Sequence, residues 1–244
     1  MSDPESTAGR AQPAKPRWQP VSTIDRRVLG VLVEKAKTTP EAYPMTLNAI
    51  TTGSNQKNNR APVMQLEPDQ VAESLERLRE MGAVGLIEGQ GRVPKYRHYL
   101  YDWLGVDKVE LAVMAGLLLR GDQTEGELRA RASRMEPIRD LAALRPIVDS
   151  LKSKGLMISL TPEGRGHVVT HALYRPQELE RLKADYAGRV SPGPAEADAE
   201  AAASPTAPAQ PDEIAALRQE LAELRSSLEA LAEEFRRFKI ELGE

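Results

Sequence analysis

The sequence contains no cysteine, few aromatic residues and no long apolar run. The lack of cysteine excludes disulfide bonds, thiolate metal sites and cysteine nucleophiles. Aromatic residues make up only 4% of the 244 residues, so we expect small helical units filled by Leu, Val, Ile and Ala rather than one large core. No apolar run approaches the roughly 20 residues that span a bilayer, and the polar N-terminus lacks the apolar segment of a secretory signal. These absences predict a cytoplasmic protein.

The net charge of −3 is unevenly distributed along the chain. Residues 1–104 and residues 105–189 each contain 14 basic and 12 acidic side chains, whereas residues 190–244 contain 5 basic and 12 acidic ones. The body is therefore mildly basic and the tail is acidic. A mildly basic body favours an anionic partner, although its charge is far below that typical of a tight nucleic-acid binder.

Two segments have the composition of unstructured chain. Residues 1–20 are rich in Pro, Ser and Ala, which predicts a disordered N-terminal arm. Residues 190–211 contain eight Ala and five Pro. Five prolines exclude a continuous helix, so this segment is predicted to be an extended linker.

Residues 212–243 contain a heptad pattern in which apolar residues are spaced alternately by three and four. This pattern predicts a coiled-coil helix with Asp212 as its N-cap, and therefore a homo-oligomer, with a dimer favoured. The residues predicted to form the seam are Leu217, Leu221, Leu224, Leu228, Leu231, Phe235 and Phe238. The alternative is a single amphipathic helix docked on the body, which usually needs a wider apolar stripe than this one.

The body contains an internal repeat with an offset of 73 residues. Apolar residues and a final glycine have the same spacing in two sets: Val71, Leu75, Leu78 and Gly82; and Leu144, Val148, Leu151 and Gly155. Each set predicts a helix that ends at a C′ glycine. A β-like run, a glycine-rich turn and a second β-like run follow each helix, at 83–88 and 95–101 in the first copy and at 156–160 and 167–174 in the second.

The opening parts of the two copies also agree. Residues 24–37 and 108–120 are strongly apolar and predict long helices, and a shorter helix follows each, at 45–54 and at 124–133. Thr124 and Glu127 have the spacing of a capping box. The sequence therefore predicts a mainly α protein with small β-hairpin wings, an α+β fold. In it, tandem winged-helix domains occupy residues 21–104 and 105–189, followed by the linker and the coiled coil.

The wording of several stretches resembles the YceH-like family of uncharacterised bacterial proteins. The similar stretches are "VEKAKTTPEAYP" (33–44), "NQKNNRAPVM" (55–64), "LLLRGDQTEGELRARASRM" (117–135) and the C-terminal heptads. The resemblance covers residues 24–186 and the terminal coil, but not the N-terminal arm or the linker. It implies tandem winged-helix domains and no established activity.

The two parts of the first unit that would contact DNA, its third helix and its hairpin, differ in charge. A winged helix usually reads DNA with its third helix and places its hairpin wing beside it. The third helix, within residues 67–82, has five carboxylates against two arginines and is a poor groove reader. Its hairpin is better suited, and Arg92, Lys95 and Arg97 are predicted phosphate contacts. The alternative is an ordinary solvated hairpin.

The second unit has more basic second and third helices. Six cations lie on or beside these helices: Arg129, Arg131, Arg134, Arg145, Lys152 and Lys154. Arg131 and Arg134 share one helix face and are predicted to bind DNA. The alternative is that three carboxylates neutralise these arginines and leave a solvated face, namely Glu125, Glu127 and Glu136.

The stretch "TTGSNQKNNRAPVM" (51–64) joins the second and third helices of the first unit. It is long for a connection between packed helices. Amides and cations are the side chains that contact bases and phosphates, so Lys57 and Arg60 are candidate DNA contacts. The alternative is that the amides brace a contact between the two domains.

Catalytic and metal sites are not predicted. His167 and His171 form an H-x3-H pattern, but the intervening Val168, Val169 and Thr170 favour a strand, on which these histidines would lie about 13 Å apart. We therefore expect no cofactor and no enzymatic activity. The sequence predicts a tandem winged-helix protein that binds double-stranded DNA in the manner of a transcription regulator. The alternative is a scaffold whose winged helices bind protein without nucleic acid.

Overall fold

The computed structural model describes residues 17–87 and 93–189, which form eight α-helices and six short strands. The first half contains α1 (Thr23–Thr38), a 3-10 turn (Pro40–Ala42), β1 (Met45–Thr46), α2 (Leu47–Ser54), α3 (Pro68–Glu80), β2 (Val84–Ile87), β3 (Lys95–His98) and α4 (Leu100–Leu104). The second half contains α5 (Lys108–Arg120), β4 (Gln123–Thr124), α6 (Glu125–Ala132), α7 (Leu141–Ser153), β5 (Met157–Ser159), β6 (Val168–His171) and α8 (Pro176–Arg189). The predicted α+β composition is confirmed.

Both halves have the order helix, strand, helix, helix, strand, strand. The predicted order of three helices and a hairpin is confirmed, and the structure adds the short strands β1 and β4. Each half has a three-stranded antiparallel sheet, ordered β1-β3-β2 in the first and β4-β6-β5 in the second. The second strand of each hairpin is shorter in the structure than the sequence predicted. The chain leaves the sheet after His98 and after His171, and α4 begins at Leu100.

The offset of 73 residues also relates two buried histidines. His98 and His171 both end the central strand of their sheet, and in both the backbone N–H two residues later lies close to Nδ1, at 3.4 and 3.3 Å. Their rings contact Tyr101 and Tyr174, with centroids 5.8 and 4.1 Å apart. Burial and nearby cations lower the pKa of His98 to about 4 and that of His171 to about 3. Both histidines are therefore neutral parts of the core at pH 7.

The predicted C′ glycines have the left-handed backbone that ends a helix. Gly82 follows α3 with φ 72°, and Gly155 follows α7 with φ 69°. A side chain disfavours this conformation, which explains why glycine occupies both positions. Each turn aims the chain from the third helix into the first hairpin strand.

The first-turn carboxylate of the long helix contacts the third helix in both halves. Asp25 of α1 lies 2.9 Å from the Arg77 guanidinium, and Glu110 of α5 lies 2.6 Å from Lys154 Nζ. Burial alone would raise both carboxyl pKa values, but hydrogen bonds to serines and to these cations outweigh it and lower both. Lys154 is therefore engaged within the fold.

The hydrophobic core runs through both halves, because α1 packs along α5. Residues Asp25 to Val33 of α1 are all buried, as are residues Glu110 to Leu119 of α5. The two backbones come close at Gly30, where a Cβ would lie 2.8 Å from Leu119 Cγ. Burial on all sides explains why α5 is apolar from Leu111 to Leu119 and has no polar face in that stretch.

Several predictions fall outside the described residues. They are the arm up to residue 16, the first hairpin tip at 88–92 with Arg92, the linker from residue 190 and the coiled coil at 212–243. Those predictions remain predictions. Among the helices that the structure describes, none is long and apolar enough to cross a membrane.

Candidate functional site

The exposed face of α7 carries cations opposite a buried apolar face. Asp140 caps the helix by accepting a hydrogen bond from the Ala143 backbone N–H at 2.8 Å. Leu144, Val148 and Leu151 point into the core. Arg145 is consequently exposed, and Lys152 is partly exposed on the same side. This helix presents positive charge to solvent over about two turns.

The hairpin between β5 and β6 lies beside the C-terminal part of α7. Lys152 Nζ lies 3.0 Å from a Glu163 oxygen in the hairpin turn. Arg165, in the same turn, is exposed. A cleft of about 240 Å³ lies between the helix and the turn, and Arg145, Lys152 and Glu163 contribute to its lining. α7 and the hairpin therefore form one surface.

His167 braces the base of this hairpin. Its Nδ1 lies 2.8 Å from a Glu125 oxygen at the start of α6, and its Nε2 lies 2.9 Å from Ser159 Oγ on β5. This order of serine, histidine and carboxylate resembles a hydrolytic triad. However, Ser159 does not contribute to the cleft that His167 and Glu125 line. The three groups join α6, β5 and β6, which fixes the hairpin relative to the helices.

Two more cations lie at the N-terminal end of α7. Arg139, with a side chain that is 89% exposed, directly precedes the helix and pairs with the capping Asp140 at 3.0 Å. Arg134, in the turn between α6 and α7, is exposed as predicted. Its guanidinium forms no hydrogen bond or ion pair with another described residue. Arg134 thus remains available to an anion.

Arg131 lies within the fold, in contrast to Arg134. Its guanidinium donates hydrogen bonds to Gln123 and to Glu127, the latter at 3.5 Å, and its side chain is only 21% exposed. Arg131 and Arg134 thus have different surroundings, and a DNA-binding face shared by both stays a prediction. Of the three carboxylates expected in the alternative to neutralise these arginines, only Glu127 pairs with one of them. Glu125 contacts His167, and Glu136 contacts lysines of α1 and α5.

The equivalent surface of the first unit is acidic. Four carboxylates are exposed on α3: Asp69, Glu73, Glu76 and Glu80. Arg77 turns to Asp25, and Arg79 pairs with Glu76 at 2.8 Å. The α3 surface would therefore repel phosphates, in agreement with the expectation from the sequence.

The hairpin of the first unit keeps two predicted cations at the surface. Lys95 and Arg97 lie on β3 and are exposed. Arg97 lies over the Tyr99 ring, with its Cζ 5.3 Å from the ring centroid. Lys57 is exposed as well, in the connection between α2 and α3.

The connection from residue 55 to residue 60 is bound tightly to the body. The Asn55 side chain bridges to Leu66 with two hydrogen bonds, donating to its C=O at 2.8 Å and accepting from its N–H at 2.7 Å. Asn59, which has φ 59°, donates to Glu34 of α1 at 3.1 Å. The Ala61 N–H donates to the Leu119 C=O of α5 at 3.0 Å. The amide side chains therefore brace the connection within the first half, and the Ala61 backbone N–H joins it to the second half.

Arg60 is the centre of this brace and is inaccessible to a phosphate. Its side chain is fully buried, and it pairs with Glu34 at 2.6 and 3.2 Å. It also donates to Gln56 Oε1 at 2.8 Å and to the Gly53 C=O at 3.1 Å. This burial weighs against the predicted contact between Arg60 and DNA. The residues around an arginine do not show whether a carboxylate of another helix forms an ion pair with it.

Arg165 and Arg139 were not singled out from the sequence. The internal repeat contained a signal for Arg165, because the offset of 73 residues pairs it with Arg92, a predicted phosphate contact. For Arg139 the sequence offered only its place before a helix N-cap.

Comparison with known proteins shows that the chain is similar to members of one family. Residues 21–165 match the family model described as "Protein of unknown function, DUF480". A UPF0502 protein of Rhodopirellula baltica is 47% identical over 86% of this chain and 88% of its own length. One from Geotalea uraniireducens is 42% identical over 83% of this chain and 89% of its own, and one from Geotalea daltonii is 48% identical over 55% and 62%.

Proposed function

This chain belongs to the DUF480 (UPF0502) family of uncharacterised bacterial proteins, and we propose that it is a non-enzymatic tandem winged-helix protein that binds double-stranded DNA through its second unit. The order of helices and strands in each half supports the winged-helix assignment, because each third helix leads through a glycine turn into an antiparallel hairpin. In such a fold the third helix enters the major groove and the hairpin lies along the backbone.

The observation that carries the proposal is the difference in charge between the two third helices. The surface of α7 and its hairpin combines five cations: Arg134, Arg139, Arg145, Lys152 and Arg165. The corresponding surface of α3 has four exposed carboxylates. The α7 surface can therefore gain counterion release from a duplex, whereas the α3 surface cannot.

Three carboxylates reduce this gain, since Glu125, Asp149 and Glu163 line the same cleft as Arg145 and Lys152. Five cations against these three carboxylates and the N-cap Asp140 leave a modest excess. We therefore propose binding that depends strongly on salt rather than a tight salt-resistant complex. Lys57, Lys95 and Arg97 of the first unit are proposed as further phosphate contacts.

The test is fluorescence anisotropy of a labelled duplex with the full chain and a double variant, Arg145→Gln with Arg165→Gln. We expect the variant to bind about tenfold or more weakly, because each lost phosphate contact removes a favourable electrostatic term. A control pair, Arg79→Gln with Arg175→Gln, removes the same charge from other surfaces. Equal binding by wild type and the first pair would overturn the proposed interface, and equal losses in both pairs would reduce it to an effect of net charge.

The absence of catalysis is part of the proposal and has its own test. The Ser159, His167 and Glu125 network is proposed to be structural. Purified protein should hydrolyse p-nitrophenyl acetate no faster than the Ser159→Ala variant does. A rate that disappears in the variant would show that the network is a nucleophilic site.

The alternative function is a protein-binding scaffold. The acidic α3 surface supports it, because a basic protein would be attracted where DNA is repelled. Co-purification from lysate with and without nuclease separates the two functions: partners lost after nuclease treatment indicate DNA binding, and partners retained indicate the scaffold.

A further inference from the structure

One unassigned feature is an open cleft of about 560 Å³ where the two halves of the body meet. Its walls come from the first turns of α1, the chain after Arg60, the end of α5 and the exposed length of α8. Apolar side chains form part of the lining, including Met64, Leu118 and Leu182. Four arginines also line it: Arg26, Arg27, Arg120 and Arg181. The volume of the cleft and its combination of apolar and charged lining residues are typical of a small-molecule binding site.

Arg27 places a buried positive charge behind this cleft. It is 1% exposed, and its guanidinium donates to the Ser54 C=O at 2.8 Å and to the Pro62 C=O at 2.7 Å. Within residues 17–87 and 93–189, no carboxylate lies within ion-pairing distance of it, and its Nε has no hydrogen-bond partner. Burial, and then the charge of Arg60, lower its pKa to about 10. Arg27 therefore remains a cation without a counterion.

Arg120 adds a second unneutralised charge that lines the cleft. It is the last residue of α5 and is half-buried. Its guanidinium forms no hydrogen bond or ion pair with any residue that the structure describes. Burial and the charge of Arg131 lower its pKa, with Glu127 acting in the opposite direction. Five free N–H groups in a fork are suited to a carboxylate.

The carboxylates of the cleft do not neutralise these two arginines. Glu178 pairs with Arg26 at 3.0 Å, and Asp122 accepts a hydrogen bond from the Tyr186 hydroxyl. Asp185 is exposed on α8. The four arginines thus exceed the three carboxylates by one charge.

We propose that this cleft binds a small organic anion, with its carboxylate on Arg120 and its apolar body against Met64, Leu118 and Leu182. Arg27 would contribute through its field rather than by contact, because its Nε is buried. Such a ligand neutralises charge that the fold leaves uncompensated and covers apolar lining. This site is separate from the proposed DNA interface, and its failure would leave that interface untouched.

The experiment measures binding to the full chain by calorimetry and by thermal shift, with four probes. Phenylbutyrate (4-phenylbutanoate) and octanoate have both a carboxylate and an apolar body, 4-phenylbutan-1-ol lacks the charge, and inorganic phosphate lacks the body. We expect millimolar or tighter binding of phenylbutyrate and of octanoate, with weaker binding of the alcohol and of phosphate. Absence of binding of both carboxylates to the wild type would overturn the proposal.

Variants locate the site. Arg120→Gln should weaken phenylbutyrate binding about tenfold or more, since a hydrogen bond to a charged group is lost. Arg79→Gln, which removes an arginine of α3 outside the cleft, is the matched control and should bind as the wild type does. Arg181→Gln, on exposed α8, provides a second test if Arg120→Gln does not fold. Equal affinity of the wild type and the folded cleft variants would refute the assignment.

Discussion

Replacing Glu34 with glutamine tests whether the connection at residues 55–60 is a structural brace. The Glu34 carboxylate, 13% exposed, pairs with the fully buried side chain of Arg60 and also accepts from Asn59. Glutamine has nearly the same shape but no charge. The substitution therefore leaves a buried guanidinium without a counterion and changes little else.

The expected loss is large for a single substitution. Breaking a buried ion pair by removing one partner costs about 3–5 kcal/mol. Glutamine retains one oxygen that can accept from Arg60 or Asn59, which places the loss near the lower end, about 3 kcal/mol. For a domain of this size that corresponds to a fall in Tm of about 6–12 °C.

Urea unfolding followed by circular dichroism measures the change in the free energy of unfolding. Glu73→Gln is the matched control, because Glu73 is 76% exposed and lies 3.9 Å from Arg77. It should change stability by less than about 0.5 kcal/mol. A loss below about 1 kcal/mol in Glu34→Gln would show that the brace contributes no more than a surface pair, and would refute this reasoning.

Three further predictions concern packing, pH and assembly. Gly30→Ala should destabilise the body by about 1–3 kcal/mol, measured by urea unfolding, because its Cβ would lie 2.8 Å from a leucine carbon of α5. Stability should fall by about 2–4 kcal/mol between pH 7 and pH 5. The unfolded chain takes up protons near pH 6.5, whereas folded His98 and His171 stay neutral until about pH 4 and 3. Leu224→Asp with Leu231→Asp should convert the predicted oligomer into monomers in light scattering, because charges would occupy the predicted seam.

Each of these has an outcome that would contradict it. Gly126→Ala is the control for the packing prediction, since nothing lies within 4 Å of the added Cβ. If both alanines had equal effects, the close approach of α1 to α5 would be disproved. A stability curve that is flat from pH 7 to pH 5 would mean that the two histidines are not neutral in the core. An unchanged mass in the coil variant would exclude the seam as the contact between subunits.

The repeat explains why so much of the fold was predictable. Glycines, helix caps and apolar spacing are local signals, and they appear twice at an offset of 73 residues, so each copy supports the other. The helix at Lys108–Arg120 and the capping box at Thr124 were predicted as the structure has them. The short strands β1 and β4 were missed because two residues carry no periodic pattern.

The candidate site was less predictable, because whether a cation is free to bind a ligand depends on which side chains surround it in the tertiary structure. Arg60 and Arg134 are equally basic and both follow a helix, yet only Arg60 meets a carboxylate from another element. Glu34 lies 26 residues earlier on α1, so no local pattern links the two. Exposed Arg165, in contrast, could have been predicted from its counterpart Arg92.

The salt dependence of DNA binding tests the central proposal most directly. Affinity for a labelled duplex, measured by anisotropy across a series of salt concentrations, gives the slope of log K against log salt. Five phosphate contacts from the second unit predict a slope of about −4 to −5, and Arg145→Gln with Arg165→Gln should reduce its magnitude by about 2. An affinity independent of salt, or a slope unchanged by the two substitutions, would contradict DNA binding through α7 and its hairpin.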